Sequence, residues 1–212
     1  MIVLSKIIPL GFLSIGVILL MQVILPIVSF QVWLFEQQYN NSLLISPTKG
    51  GQVLGISVLS QDYFPAFVST LKRENPVSYT RFSLSVPKLK IERAPVLVDS
   101  NELTKGLVHL PGSALPGEKG NVFISGHSAA SPLFSFKTAL FAKLTDLKKG
   151  DKIELEAQGT KFKYEVVEMT AVDPKDLSVT AAVEPQGRYI SLMTCVPPGL
   201  NFKRLVVLGK MI

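Results

Sequence analysis

Phe82-Ser83-Leu84-Ser85-Val86-Pro87 alternates apolar and small polar side chains and stops at a proline. A period of two marks a half-buried strand, because successive side chains of a strand point to opposite faces, and Pro87 cannot extend the ladder. Toward the C-terminus, short strand-like runs follow, set apart by Pro and Gly: Leu89 to Ile91, Asn121 to Ser125, Lys152 to Glu156, Lys161 to Met169, Arg188 to Leu192 and Leu205 to Lys210. Asp151 to Leu155 and Phe162 to Val166 alternate on either side of Gly159 and read as a hairpin. One helical patch is expected between Pro132 and Leu147, with Lys148-Lys149-Gly150 as its basic end and stop. Seven or more short strands with a minor helix predict a mostly β domain over residues 79–212. The expected architecture is a closed or nearly closed barrel of 7–8 strands with one or two short helices.

Toward the N-terminus the pattern dissolves. Residues 36–78 hold Gln37-Gln38-Tyr39-Asn40-Asn41, the loop signal Ser46-Pro47-Thr48-Lys49-Gly50-Gly51 and a short apolar-periodic stretch around Phe64 to Leu71. They read as a stalk with at most a short helix. Before them, Ile7 to Phe35 carries no charge, and only Gln22 and Gln31 are strongly polar. Roughly 20 apolar residues cross a bilayer core, so this run is long enough to span one. Pro9 and Pro26 should each bend the helix or mark a membrane boundary, and Trp33 and Phe35 suit an interfacial anchor.

A cleavable signal needs a shorter apolar core and small residues at the cut, so residues 7–35 read as an uncleaved signal anchor. Lys6 precedes the span and no basic residue follows it until Lys49, which puts residues 1–6 in the cytoplasm and the remainder outside. The anchor accounts for the bulk values: 212 residues, 47% hydrophobic and 18% charged, with a mean hydropathy of +0.34. Those values exclude a disordered chain and a wholly soluble one. Beyond the span the charge is 21 basic residues minus 16 acidic, or +5. That suits an anionic membrane or envelope polymer and is too small and scattered for nucleic acid.

Cys195 is the single cysteine, which excludes an internal disulfide framework and a multi-cysteine zinc site. Taken alone it is either inert in a core, paired with another chain, or reactive. It follows the run Tyr189 to Thr194 at a strand end, and Arg204 opens the last strand nine positions later. Gly126-His127-Ser128 likewise leaves the strand Asn121 to Ser125. A thiol, an imidazole and a guanidinium at three strand exits of one barrel supply a nucleophile, a proton-transfer partner and a cationic donor for an oxyanion. The other histidine, His109, is read as supporting or structural. Phe134, Phe136 and Phe141 are read as packing, and Asp173, Asp176 and Glu184 as solvated loop charges, because their spacing follows no calcium-loop pattern.

The motifs resemble the sortase family. Ser191-Leu192-Met193-Thr194-Cys195 is similar to the family's Thr-Leu-x-Thr-Cys strand end, with Arg204 downstream and Gly126-His127 upstream. Val86-Pro87-Lys88-Leu89-Lys90-Ile91 with Ala94-Pro95-Val96 looks like the first barrel strand and its turn. Gly106-Leu107-Val108-His109-Leu110-Pro111-Gly112-Ser113-Ala114-Leu115-Pro116-Gly117 is similar to the segment before the histidine strand. The resemblance covers roughly residues 80 to 212.

It implies a cysteine transpeptidase outside the membrane, cleaving an LPXTG-like sorting signal through a thioester and passing the acyl group to an amine. Cys195 is the implied nucleophile, His127 the general acid/base and Arg204 the donor to oxyanion or substrate, with Thr194 helping to position substrate. No metal or organic cofactor is implied. The implied partners are secreted proteins with the sorting signal, an amine acceptor on a peptidoglycan precursor or pilin lysine, and the membrane. The loop after Cys195 looks most like class C. The chain nevertheless ends at Ile212 without that class's C-terminal membrane helix and has no Asp-Pro-aromatic lid, so a class D- or E-like anchoring enzyme stands beside it. Two alternatives to a transpeptidase are a cysteine hydrolase on the same barrel and a non-catalytic envelope-binding module with a buried Cys195.

Overall fold

The computed structural model describes residues 2–39, 43–45, 56–61, 64–69, 77–129, 139–181, 183–184, 186–198 and 202–212. They fall into two compact units, residues 1–40 and 41–212. The first is one helix, α1 (Ile2–Tyr39), which runs through Pro9 and Pro26. Within it Gly11–Glu36 is long and apolar enough to cross a membrane, and Phe12, Leu13, Val23 and Phe35 lie exposed. Phe30 and Trp33 stack with centroids 5.9 Å apart.

The second unit is built on strands. They are β1 (Leu43–Ile45), β2 (Ile56–Gln61), β3 (Phe64–Ser69), β4 (Arg81–Val86), β5 (Ile91–Leu97), β6 (Leu107–His109), β7 (Gly120–Ser125), β8 (Lys152–Ala157), β9 (Thr160–Val172), β10 (Arg188–Val196) and β11 (Lys203–Met211). The order β9-β11-β10-β7-β6-β5-β4-β8, with β8 pairing back onto β9, closes an eight-stranded barrel. Closure leaves no free sheet edge among those strands. β1 adds to β9 in parallel, with Leu44 opposite Thr170.

The alternation that opens β4 is realised as expected. Phe82, Leu84 and Val86 are buried, and Ser83 and Ser85 are half-buried. The β8–β9 hairpin turns at Gln158-Gly159, both with positive φ (49° and 77°), between the paired Ala157 and Thr160. That backbone hand matches the twist of the flanking strands, and Gly159 takes it without steric cost.

Three expectations change. Within the stretch around Phe64 to Leu71, Phe64–Ser69 is strand β3 rather than a short helix, paired antiparallel with β2. Both lie in residues 36–78, the segment read as a stalk. The first run after Pro87 is a 3-10 turn, Pro87–Leu89, with β5 beginning at Ile91. Of the helix expected between Pro132 and Leu147, residues 130–138 lie outside the described residues. The remainder is turns ending in a 3-10 turn, Leu144–Asp146. Its apolar side chains are spent on the core, for Phe141, Leu144 and Leu147 are all fully buried.

Candidate active site

Cys195 stands near the end of β10 and Arg204 at the start of β11, and the two are directly opposed across the antiparallel ladder. Residues so paired have Cα atoms about 4.5–5.5 Å apart and side chains on one face. β7 runs parallel to β10 on the other side, with Ser125 opposite Met193. Because the pairing is parallel, both strands leave the sheet at the same end, and His127 leaves β7 at the end where Cys195 stands. A bond from the Gly126 N–H to the Met193 carbonyl, 3.1 Å, carries the pairing one residue past the strand. Gly126 is needed there, since a Cβ would lie 2.5 Å from Leu107 Cδ2 and 2.7 Å from Phe141 Cδ2.

Alternation sorts the rest of β10. Met193 shares the face of Cys195, and with Val206, Phe123, Val172, Leu110 and Leu177 it forms an apolar bed on which Ile56 of β2 packs. Thr194 has the opposite face. It is 2% exposed, and its hydroxyl donates to the Gly126 carbonyl at 2.9 Å. The side chain therefore braces the Gly126-His127 exit from inside the barrel.

The three candidate groups are all desolvated to some degree. Burial pushes the Cys195 thiol up, and the Arg204 guanidinium opposes that shift. Burial pulls His127 down, against the Leu103 carbonyl, which accepts a hydrogen bond from the ring. Arg204 is fully buried, and the pull of that burial is countered by Cys195 and Asp173. Its Nη1 donates to the Lys203 carbonyl at 3.3 Å. A guanidinium held out of water beside a thiol is a strong local donor for negative charge, because the low dielectric enlarges the interaction.

His109 occupies a different setting. It is fully buried in β6, opposite Ile124 of β7. Nε2 lies 2.9 Å from the Ala114 carbonyl and 2.8 Å from Ser113 Oγ. Nδ1 lies 3.3 Å from the Asp99 N–H and 3.2 Å from Asp99 Oδ1. Every ring nitrogen is engaged, as its structural reading requires. Phe141 is core, as expected, while Phe134 and Phe136 lie outside the described residues.

Asp176 is a correction. It is 4% exposed rather than solvated, and its Oδ1 accepts from the Ser178 N–H and hydroxyl at 3.0 and 2.5 Å, closing a local turn. Sequence reasoning also passed over the Leu103 carbonyl and the place of Asp173 near Arg204. The first is a backbone group with no side-chain signal. The second is set by the β9–β11 register, in which Val172 opposes Arg204.

Residues 84–212 match the model of the sortase domain. The chain belongs to the sortase family. The chain is 36% identical to sortase A of Bacillus anthracis over 132 residues, covering 61% of this chain and 58% of that one. Against sortase D of Bacillus subtilis the identity is 30% over 132 residues, covering 60% and 61%. It thus spans about three fifths of the length of these two curated relatives.

Among solved structures, the lid mutant of sortase A from Corynebacterium diphtheriae superposes with a TM-score of 0.56 at 33% identity, over 63% of this chain and 70% of that one. The pilus-related sortase C of Group B Streptococcus gives 0.55 at 34%, over 65% and 69%. Sortases are cysteine transpeptidases, and the barrel described here is theirs. Class is not separated by these likenesses, since sortases named A, C and D match at similar levels.

Proposed function

We propose that this sortase is a single-pass membrane enzyme, with residues 1–6 in the cytoplasm, residues 7–35 as anchor, residues 36–78 as connection and residues 79–212 as an extracytoplasmic catalytic barrel. It cleaves an LPXTG-like sorting signal and transfers the acyl part to an amine on the cell envelope. The observation that carries the reading is the direct opposition of Cys195 and Arg204 across β10 and β11, with His127 leaving β7 at the same end. The similarity of residues 84–212 to the sortase domain supports it.

In this mechanism the Cys195 thiolate attacks the carbonyl carbon at the Thr–Gly bond, and the carbonyl electron pair moves onto oxygen. Arg204 donates to that oxyanion or to the substrate backbone. As the tetrahedral species collapses, the C–N bond breaks, protonated His127 gives its proton to the departing amine, and a thioester remains on Cys195. An incoming amine then attacks the thioester and loses its proton to neutral His127, and the thiolate leaves. The thioester conserves acyl energy, so the exchange of one amide for another needs no nucleotide. Thr194 acts through the Gly126 carbonyl rather than on substrate. Nucleic acid has no place in the scheme.

The test is to incubate the enzyme with an LPXTG-type peptide and a simple amine, then weigh the products. The expected result is the peptide cut at the Thr–Gly bond and joined to the amine. Cut peptide ending only in a free carboxylate at high amine concentration makes the protein a hydrolase, and uncut peptide across a library of related signals removes the enzyme reading.

A further inference from the structure

On the face that carries Cys195 and Arg204, the next rung of the ladder is Met193 with Val206, directly opposed across β10 and β11. Strand residues two apart share a face and lie about 7 Å from one another, so an apolar surface begins that far from the nucleophile. One more step of the same kind brings Phe123, opposite Ser191 and about 13 Å from Cys195. Leu110, Val172 and Leu177 complete this bed, and none of its six side chains is more than 8% exposed.

A ligand therefore does not meet the bed itself. It meets the two half-buried side chains packed over it, Val179 and Ile56. Val179 belongs to the 3-10 turn Ser178–Thr180, tied to β7 where Asn121 Nδ2 donates to the Val179 and Ala181 carbonyls at 3.4 and 3.5 Å. Ile56 comes from elsewhere in the chain. It lies on β2, outside the residues 84–212 that match the sortase domain and inside the segment read as a stalk. It is nonetheless fixed. Ser69 stands opposite Ile56 in the β2–β3 ladder, and Asn101 of the β5–β6 connection holds Ser69 by both backbone groups. Its Nδ2 donates to the Ser69 carbonyl at 3.2 Å, and its Oδ1 accepts the Ser69 N–H at 3.3 Å. A half-exposed aliphatic side chain on an apolar bed, at a set distance from a nucleophile, is a surface for another apolar side chain.

We propose that Ile56 is a specificity-determining residue of the transfer reaction: with Val179 it receives the apolar side chain that opens the sorting signal, and the β2–β3 hairpin is thereby part of the substrate site. In an LPXTG-like signal the Leu stands three residues before the Thr whose carbonyl Cys195 attacks. Laid along β10 from Cys195, an extended peptide covers that interval in roughly 10 Å, which falls between the two rungs of the bed. The inference rests on the sorting-signal reading of Cys195. It adds that the volume of residue 56 sets which side chain the leading position accepts.

The test uses full-length protein in nanodiscs, a simple amine, and peptides carrying Ala, Leu or Phe at the leading position. The parent is expected to prefer Leu. In Ile56→Ala the KM of the Leu peptide rises about tenfold, the low end of what a lost hydrophobic contact does to discrimination. The preference also moves toward Phe, because a larger side chain reaches the space that Ile56 filled. In Ile56→Phe the preference moves toward Ala. A general loss of fold does not shift preference in opposite directions from one position. Should Ile56→Ala not fold, Ile56→Val carries the same test, with a smaller shift in the same direction.

Unchanged preference in folded Ile56→Ala and Ile56→Phe overturns the proposal. So does a KM that falls alike for every peptide in Ile56→Ala, which makes the hairpin a cover that substrate displaces. If the parent cuts none of the peptides, the transfer reading fails, and Ile56 is judged by binding of the same three peptides, fluorescently labelled, to Cys195→Ala protein. A binding preference that the two Ile56 variants shift in opposite directions upholds the contact, and binding indifferent to residue 56 removes it.

Discussion

His109 lies on β6 and His127 just past the end of the neighbouring β7, about three residues, or roughly 10 Å, further along that chain than the Ile124 that opposes His109. Their surroundings differ in burial. His109 is fully buried and both its nitrogens are engaged by Ala114, Ser113 and Asp99. His127 is half-buried at a strand exit, where the Leu103 carbonyl accepts a hydrogen bond from its ring. A fully buried imidazole is held as part of the fold, whereas one half-exposed at a strand exit is open to proton exchange, the setting an acid/base needs. The same residue type divides by geometry alone.

Removing the thiol tests the chemical side of this contrast most severely. Cys195→Ala is expected to lose more than about 10³-fold in transfer rate, since a nucleophile is not replaced by its neighbours. The intact mass after incubation with substrate should show a thioester adduct in the parent and none in the variant. An adduct surviving in Cys195→Ala would place the nucleophile elsewhere. Next in size, His127→Gln should lower kcat/KM by about 10²–10⁴-fold with an unchanged melting temperature, the range expected of a lost general acid/base. His109→Gln should do the reverse in kind, with a lower melting temperature as its main effect and a far smaller loss of rate. If the two variants exchange signatures, the assignment of roles is wrong.

A smaller effect is expected in the pH profile. Burial lowers the His127 pKa below 6.5 and raises that of the Cys195 thiol above 9.0. Between those values both groups are neutral, and the reactive thiolate with imidazolium is a minority pair. The product of the two fractions is flat across that window. It falls on the acid side as His127 takes up its proton with the thiol still protonated, and on the alkaline side as the thiol ionises with His127 already neutral. The profile of kcat/KM should therefore stay level from about pH 6.5 to 9.0. A narrow peak inside that window would contradict the desolvation argument.

The smallest change is expected from Thr194→Val. It leaves the Gly126 carbonyl short of a buried donor, at a cost of roughly 1–3 kcal/mol in stability. KM should not move, because the side chain faces the barrel interior. A raised KM without lost stability would return Thr194 to the substrate side.

The barrel was legible because alternation survives in most of its strands. The period of two in β4 and across Gly159 needs only local reading, and its burial pattern agrees. β6 escaped because three residues, all buried, show no alternation, and β1 escaped for its length. The run around Phe64 to Leu71 reads as stalk with at most a short helix because a short apolar stretch fits either period; pairing with β2 decides for strand over Phe64–Ser69. The motif residues Cys195, His127 and Arg204 were found by their positions at strand exits.

By itself the sequence determined the apolar span, the β character of residues 79–212, the lone thiol and the two candidates for an imidazole partner. Those are properties of composition and of neighbours along the chain. Only the tertiary structure decided that Arg204 faces Cys195, that Thr194 looks inward, that His109 is bonded on every side and that Leu103 reaches His127. Register between strands far apart in sequence is set by which faces are buried together, and a slip of one residue would turn each of those side chains to the other side of the sheet.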